Sequence, residues 1–262
     1  MTRVYIHEEV AVAGANRARY QHHMTANWWP DNGPARRQLC FGVFSVVGST
    51  GAWPAVINVW EYHSWGDLAH NFGHELVGAG HQDPGLAEWW RRAAEFRHGG
   101  FDRIAVAPTW SPGIEQLCAA GWSAGGYLHE WWTCPTGRSP DLIAALRELE
   151  EPYAASGLSL GLALETAMGD ESECLLIWGF DTWEVWADFE SQRRDHPALR
   201  SWWRRHEALT PRRRSSLLVD AELSPLRTGR QPAVEDRRAF SDEGSTGVGD
   251  APAAHATPVT ST

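Results

Sequence analysis

Lysine is absent from this chain: its 23 basic residues are all arginine. Without a lysine amine no Schiff base can form on the protein, which excludes a covalently held pyridoxal cofactor. Cysteine is scarce too. Cys40, Cys118, Cys134 and Cys174 stand far apart with no CxxC pair, so neither a disulfide framework nor a thiolate zinc site is expected, and the thiols should be reduced and buried. No apolar run reaches the ~18 residues of a membrane span, and "MTRVYIHEEV" lacks the pattern of a signal peptide. The expectation is a cytoplasmic protein with no membrane partner. Also missing are a GxGxxG after a strand, GxxxxGK[ST], GxSxG and CxxCH. The glycine-rich "AAGWSAGGYL" (119–128) precedes a strand and reads as a linker. A dinucleotide- or triphosphate-dependent enzyme is therefore not expected. Positive charge is in deficit, with a net charge of −10, which argues against nucleic acid as a partner. "RRHEALTPRRR" (204–214) is basic but short, and reads as solvated helix surface.

What is abundant is tryptophan, 16 residues in 262. Each is large, apolar and carries an N–H that wants a partner, so this many implies aromatic-lined interior or interface. The chain is long enough for one large core or two smaller ones.

Self-similarity organises the rest. "VYIHEEV" (4–10) matches "GYLHEWW" (126–132). "NVWEYHSWGDLA" (58–69) matches "LIWGFDTWEVWA" (176–187), and "DPGLAEWWRRAAEF" (83–96) matches "HPALRSWWRRHEAL" (196–209). "IAVAPTWSP" (104–112) matches "LLVDAELSP" (217–225). Four matches in one order indicate a duplicated unit. In each copy the patterning predicts strand–helix–strand–strand–helix–strand. The first has strands at 3–10, 39–48, 55–62 and 101–108; the second at 126–133, 158–167, 173–180 and 215–222. This is the ferredoxin-like β-α-β-β-α-β order. The fold class is therefore α+β: two tandem ferredoxin-like repeats, 1–118 and 126–226, joined by a linker at 119–125. Residues 227–262, rich in Gly, Pro, Ser, Thr and charge, read as a disordered tail.

The openings "YIHEEV" and "YLHEWW", the segment "VINVWEYHSWGDLA" and the "WSP" at Trp110 to Pro112 resemble those of bacterial NIPSNAP-like proteins, of the dimeric α/β-barrel superfamily. Over residues 3 to 226 the resemblance implies two sheets packed face to face, and allows a homodimer. That superfamily includes cofactor-free oxygenases of polyketide tailoring, haem enzymes and isomerases, so it fixes no single chemistry.

Comparison of the copies points to the first. Glu61 faces Gly179, His63 faces Asp181, His70 faces Asp188, and His22 and His23 face alanines. His7 and Glu61, on neighbouring central strands, are the candidate base and its orienting carboxylate, with His70 and His74 as further acids or ligands. Trp28, Trp29, Trp60, Trp65 and His23 are the candidate substrate walls. Three readings stay open: acid–base catalysis without a cofactor; a divalent-metal or haem site built on these histidines; and a solvated helix face over a core histidine. His129, repeating His7, reads as half of a structural pair, and Glu8 and Glu130 as carboxylates that orient the histidines or face water. The expected function is a small-molecule enzyme of biosynthetic metabolism. It would act on a hydrophobic aromatic or polyketide-like substrate by isomerisation, cyclisation or oxygenation. A haem or metal enzyme and a non-catalytic binding module are the alternatives.

Overall fold

The computed structural model describes residues 2–77, 80 and 82–238. Its strands follow the predicted order: β1 Val4–Val12, β2 Leu39–Val46, β3 Ala55–Tyr62, β4 Arg97–Val106, β5 Gly126–Thr133, β6 Leu158–Met168, β7 Glu173–Phe180 and β8 Arg212–Asp220. Within each half the strands lie in the order fourth, first, third, second, all antiparallel. The halves join along both edges, β2 to β8 and β4 to β6, so the eight strands close into one barrel. Closure removes the sheet edges that two open ferredoxin-like halves would expose, and it needs only one chain.

Period-2 alternation then sorts the side chains. Tyr5, Ile57, Val59, Leu164, Ile177 and Leu218 point into the barrel and share one core across both halves. The alternate residues point outward under helices. Val4, Val10 and Trp60 meet Tyr20, Met24, Leu68 and Trp89 in the first half, while Leu128, Trp132 and Trp178 meet Leu142, Tyr153 and Trp202 in the second. Those covering helices include α1 Arg17–His22, which continues through a π-helical stretch His23–Trp28 into α2 Trp29–Asn32. They also include α3 Trp65–Glu75 and α4 Pro84–Ala93. Ser64 caps α3, its Oγ accepting the Asp67 N–H at 3.2 Å. After β4 comes α5 Ile114–Ala119, and the second half adds α6 Ser139–Leu146, α7 Glu150–Ala154, α8 Trp183–Arg193 and α9 Pro197–Arg205.

Two expectations shift. β4 starts at Arg97 rather than 101, because "HGG" continues the strand close against β1: a Cβ on Gly100 would lie 2.5 Å from the Glu9 carbonyl oxygen. Residues 227–238, at the head of the expected tail, run against the barrel. α10 Pro225–Thr228 ends there, Gln231 bonds both backbone groups of Cys40, and Arg237 reaches the Ala26 carbonyl and Asp31. Residues 239–262 lie outside the described residues. The four cysteines are free, with Cys40 and Cys174 buried. Among the described residues no helix is long and apolar enough to cross a membrane.

Candidate active site in the barrel interior

The β1–β3 register sets Tyr5 opposite Glu61 and His7 opposite Val59. His7 and Glu61 therefore do not form the expected pair. Glu61 sits near one end of the barrel, accepting from Tyr5 Oη at 2.9 Å and the Ile114 N–H at 2.8 Å, where it ties α5 to the sheet. His70 and His74 are on the outer face of α3, exposed, with ring centroids 6.4 Å apart and His70 against the Ala35 carbonyl. The two-histidine, one-carboxylate set is thus split between the inside and the outside of the barrel. Among the described residues no three His, Cys, Asp or Glu side chains converge as metal ligands.

The expected substrate walls are also elsewhere. Trp28 and Trp29 donate to Gln38 at 2.9 Å each and Trp60 is buried in the outer layer. Trp65 is exposed, and His23 stacks on Trp89 at 4.8 Å. Trp65 apart, these residues pack helices against the sheet. Glu8 and Glu130 orient no histidine, since both point outward under the helices.

His7 does stand at the centre, and its partner is its own repeat mate. His7 and His129 meet Nε2 to Nε2 at 3.2 Å with nearly parallel rings. Arg103 Nη1 lies 3.1 Å from His7 Nδ1 and 2.7 Å from Glu9, and its Nε is 3.0 Å from Glu173. A guanidinium only donates, so His7 Nδ1 accepts and the His7 proton sits on Nε2, pointing at His129. His129 then carries its proton on Nδ1, which meets no acceptor among the described residues. Burial, then the Arg103 charge, lowers His7 to about 3; burial, then His7 and Arg103, holds His129 well below the usual imidazole range. Both rings are neutral near pH 7. His7 is consequently a poor base, some 4 units below the optimum for proton abstraction, and with both nitrogens engaged it offers none to a haem iron.

Above this pair a cavity of about 510 Å³ opens to solvent, lined by residues of β1, β3, β4, β5, β8 and the β2–β3 turn. Trp131, whose ring lies 3.8 Å from that of His129, lines it from below. The exposed Trp53 and Phe101 form its apolar rim. Three of its lining donors, Arg214, Trp131 and Ser216, lie on the inward faces of β5 and β8. Arg214 stacks over Trp131 at 4.3 Å and makes no direct salt bridge among the described residues, though its charge acts on Glu173. Trp131 Nε1 and Ser216 Oγ are buried without a partner. Glu9 is the carboxylate in the lining. Sequence reasoning missed these residues: the same faces of β1 and β8 also carry Tyr5, His7, Arg212 and Asp220, so polarity alone does not single them out. A mostly apolar pocket with a few placed polar groups is what small-molecule sites look like.

No protein-family model and no curated protein matches the chain. Solved structures do. A Lactobacillus acidophilus protein proposed to be a monooxygenase is 8% identical, with TM-score 0.54 over 89% of this chain and 97% of its own. An anthrone oxidase-like protein is 14% identical, with TM-score 0.54 over 84% and 94%. A NIPSNAP family protein from Agrobacterium tumefaciens covers 42% of this chain and 97% of its own, at 18% identity and TM-score 0.34, too loose a match to place the chain in that family. The matches spanning both halves define the fold: a dimeric α/β-barrel architecture built from ferredoxin-like halves in one polypeptide.

Proposed function

We propose that this protein is a small-molecule enzyme that removes a proton from a planar, hydrophobic aromatic substrate in the barrel cavity. The observation that carries this reading is the cavity's donor–acceptor layout: a guanidinium without a direct salt bridge and two buried, unpartnered donors face an apolar space that also holds one carboxylate. A hydroxy- or keto-aromatic carbon acid suits that layout. Its ring lies against Trp131 and Ile57, its oxygen takes the Arg214, Ser216 and Trp131 donors, and Glu9 accepts the C–H proton. Charge developing on the substrate oxygen is stabilised by donors already in place, the arrangement that lowers such barriers most. Glu9 thereby takes the role expected of His7. The neutral His7–His129 pair and Arg103 hold Trp131 and Glu9 in position.

The fold shared with an anthrone oxidase-like protein and a monooxygenase candidate favours oxygenation as the fate of the carbanion. An activated CH₂ and O₂ then become C=O and H₂O, with no bound cofactor consumed. Such substrates belong to aromatic or polyketide-like biosynthesis.

The test is anaerobic titration with a hydroxyanthrone, followed by Trp fluorescence and by deuterium exchange at the acidic carbon, then oxygen uptake on admitting air. Expected are saturable binding and accelerated exchange. R214Q weakens binding by about tenfold, as loss of one charge-assisted contact implies; E9Q binds but does not exchange. Binding by the unmodified protein with no exchange would make the cavity a carrier site and overturn the catalytic reading.

A further inference from the structure

A second cavity, of about 270 Å³, lies on the outside of the barrel in the second half, between α8, α9 and β8. Four guanidinium groups line it, from Arg193, Arg194, Arg200 and Arg213, together with Trp132, Tyr153 and Trp203. In a chain of net charge −10 this local excess of positive charge calls for a reason. The nearby carboxylates are already engaged. Glu190 is gripped by Arg193 at 2.8 Å, and the fully buried Glu130 accepts from Trp132, Trp178, Tyr153 and the Arg213 Nε.

Two charges are left over. Arg194 and Arg200 are exposed; neither makes a salt bridge among the described residues, and Arg194 acts on Glu190, which Arg193 already grips, only through its field. The Arg213 side chain is only 9% exposed, yet its Nη2 is buried without a partner. An unpartnered buried guanidinium nitrogen is costly unless something binds it. Solvated arginines on a helix surface would explain Arg194 and Arg200, but not a buried Arg213 left half-satisfied beside them.

The first half supplies an internal comparison. Strand register puts Gly100 where Arg213 stands and Asp102 where Ser215 stands, and the repeat match puts Ala87 where Arg200 stands. There Arg91 and Arg92 are both paired with Glu88. At the positions matched to Arg200 and Arg213 the first half carries no guanidinium.

We infer that this pocket is an oxyanion site for a phosphate monoester carried on a small planar group. Forked guanidinium donors match tetrahedral phosphate oxygens in geometry and charge, and Trp203 and Trp132 provide a flat wall for the group that bears the phosphate. The cavity, about 270 Å³ and open to solvent, has room for an aryl phosphate.

The experiment is calorimetric titration of the full chain with inorganic phosphate and with phenyl phosphate, at ionic strength fixed by NaCl. Three variants accompany it: R194Q/R200Q, R91Q/R92Q and R214Q. The expected result is one saturable site, with phenyl phosphate binding several-fold more tightly than phosphate. R194Q/R200Q, whose altered residues are exposed and should not disturb folding, weakens both ligands by about tenfold or more. R91Q/R92Q removes as much surface charge from the other half and leaves affinity unchanged. R214Q, at the barrel mouth, also leaves it unchanged, which separates this site from the proposed active site. Absence of saturable binding would overturn the inference, as would equal weakening by R194Q/R200Q and R91Q/R92Q. Equal affinities for the two ligands would remove the aromatic wall from it.

Discussion

Glu8 and Glu130 hold the same position in the two repeats and face the same way, outward under the helices, but their surroundings set them apart. Glu130 is saturated by two indoles, a phenol and the Arg213 guanidinium. Glu8 has the Asn58 amide at 2.7 Å and no guanidinium bonded to it. Burial, then the nearby Asp102 charge, raises Glu8 to about 7. The folded protein therefore keeps a proton on Glu8 at pH values where the unfolded chain, titrating near 4.5, has released it. Stability from this group falls as pH rises from about 4.5 through 7 and is flat above. Replacing Glu8 with Gln removes the ionisation while keeping the shape. In urea denaturation E8Q should gain at most about 3 kcal/mol over the parent at pH 8 and far less at pH 5. A gain that does not change between the two pH values would show that Glu8 does not titrate in this range.

At the scale of elements, the divergence of Glu61 and Gly179 has a structural explanation. In the first half Glu61 receives the N-terminus of α5 through the Ile114 N–H. In the second half the space over the equivalent strand is filled by the linker. Trp122 lies across Gly161 and Gly179 and donates its indole N–H to Ser159 at 2.9 Å. A Cβ on Gly179 would come within 2.7 Å of the Trp122 ring and 2.9 Å of Ala124 Cβ. G179A should thus lift the linker and cost about 1–3 kcal/mol, as overpacking does, read as a loss in urea midpoint with a rise in Trp122 exposure to a fluorescence quencher. An unchanged midpoint would show that the linker packs loosely there. The order of strands along the chain was legible because alternation is local. His129 was legible as half of a structural pair; the convergence of Glu9, Trp131, Arg214 and Ser216 was not. It depends on register and on closure between halves, and a one-residue slip would turn every one of those side chains to the other face. The histidine-rich "EYHSWGDLAHNFGHEL" drew the sequence reading to α3, yet α3 turns His70 and His74 to solvent while the sheet beneath it carries the inner core.

At the scale of the molecule, the barrel is held by two short seams. Phe44 to Val46 pair with Leu218 to Asp220, and Ile104 to Val106 with Glu165 to Met168. The longer ladders lie within the halves, such as Val4 to Ala11 of β1 on Ala55 to Tyr62 of β3. What binds the halves is mostly the shared interior. Tyr5, Phe44, Ile57, Val59 and Ala105 from one side pack on Tyr127, Leu164, Leu175, Ile177 and Leu218 from the other, and His7 donates across the axis to His129. A half expressed alone as residues 1–118 would present that whole apolar face, with His7 unpaired, to water. A patch of this kind is not tolerated on a stable monomer. The fragment should therefore self-associate, pairing face to face or aggregating, and co-expression with residues 119–262 should return a 1:1 complex with the circular dichroism of the intact chain. Light scattering coupled to size exclusion distinguishes these states. If 1–118 emerged as a cooperatively folding monomer, the interior would not be what joins the halves, and a site requiring Glu9 from one half and Trp131, Arg214 and Ser216 from the other would lose its structural basis.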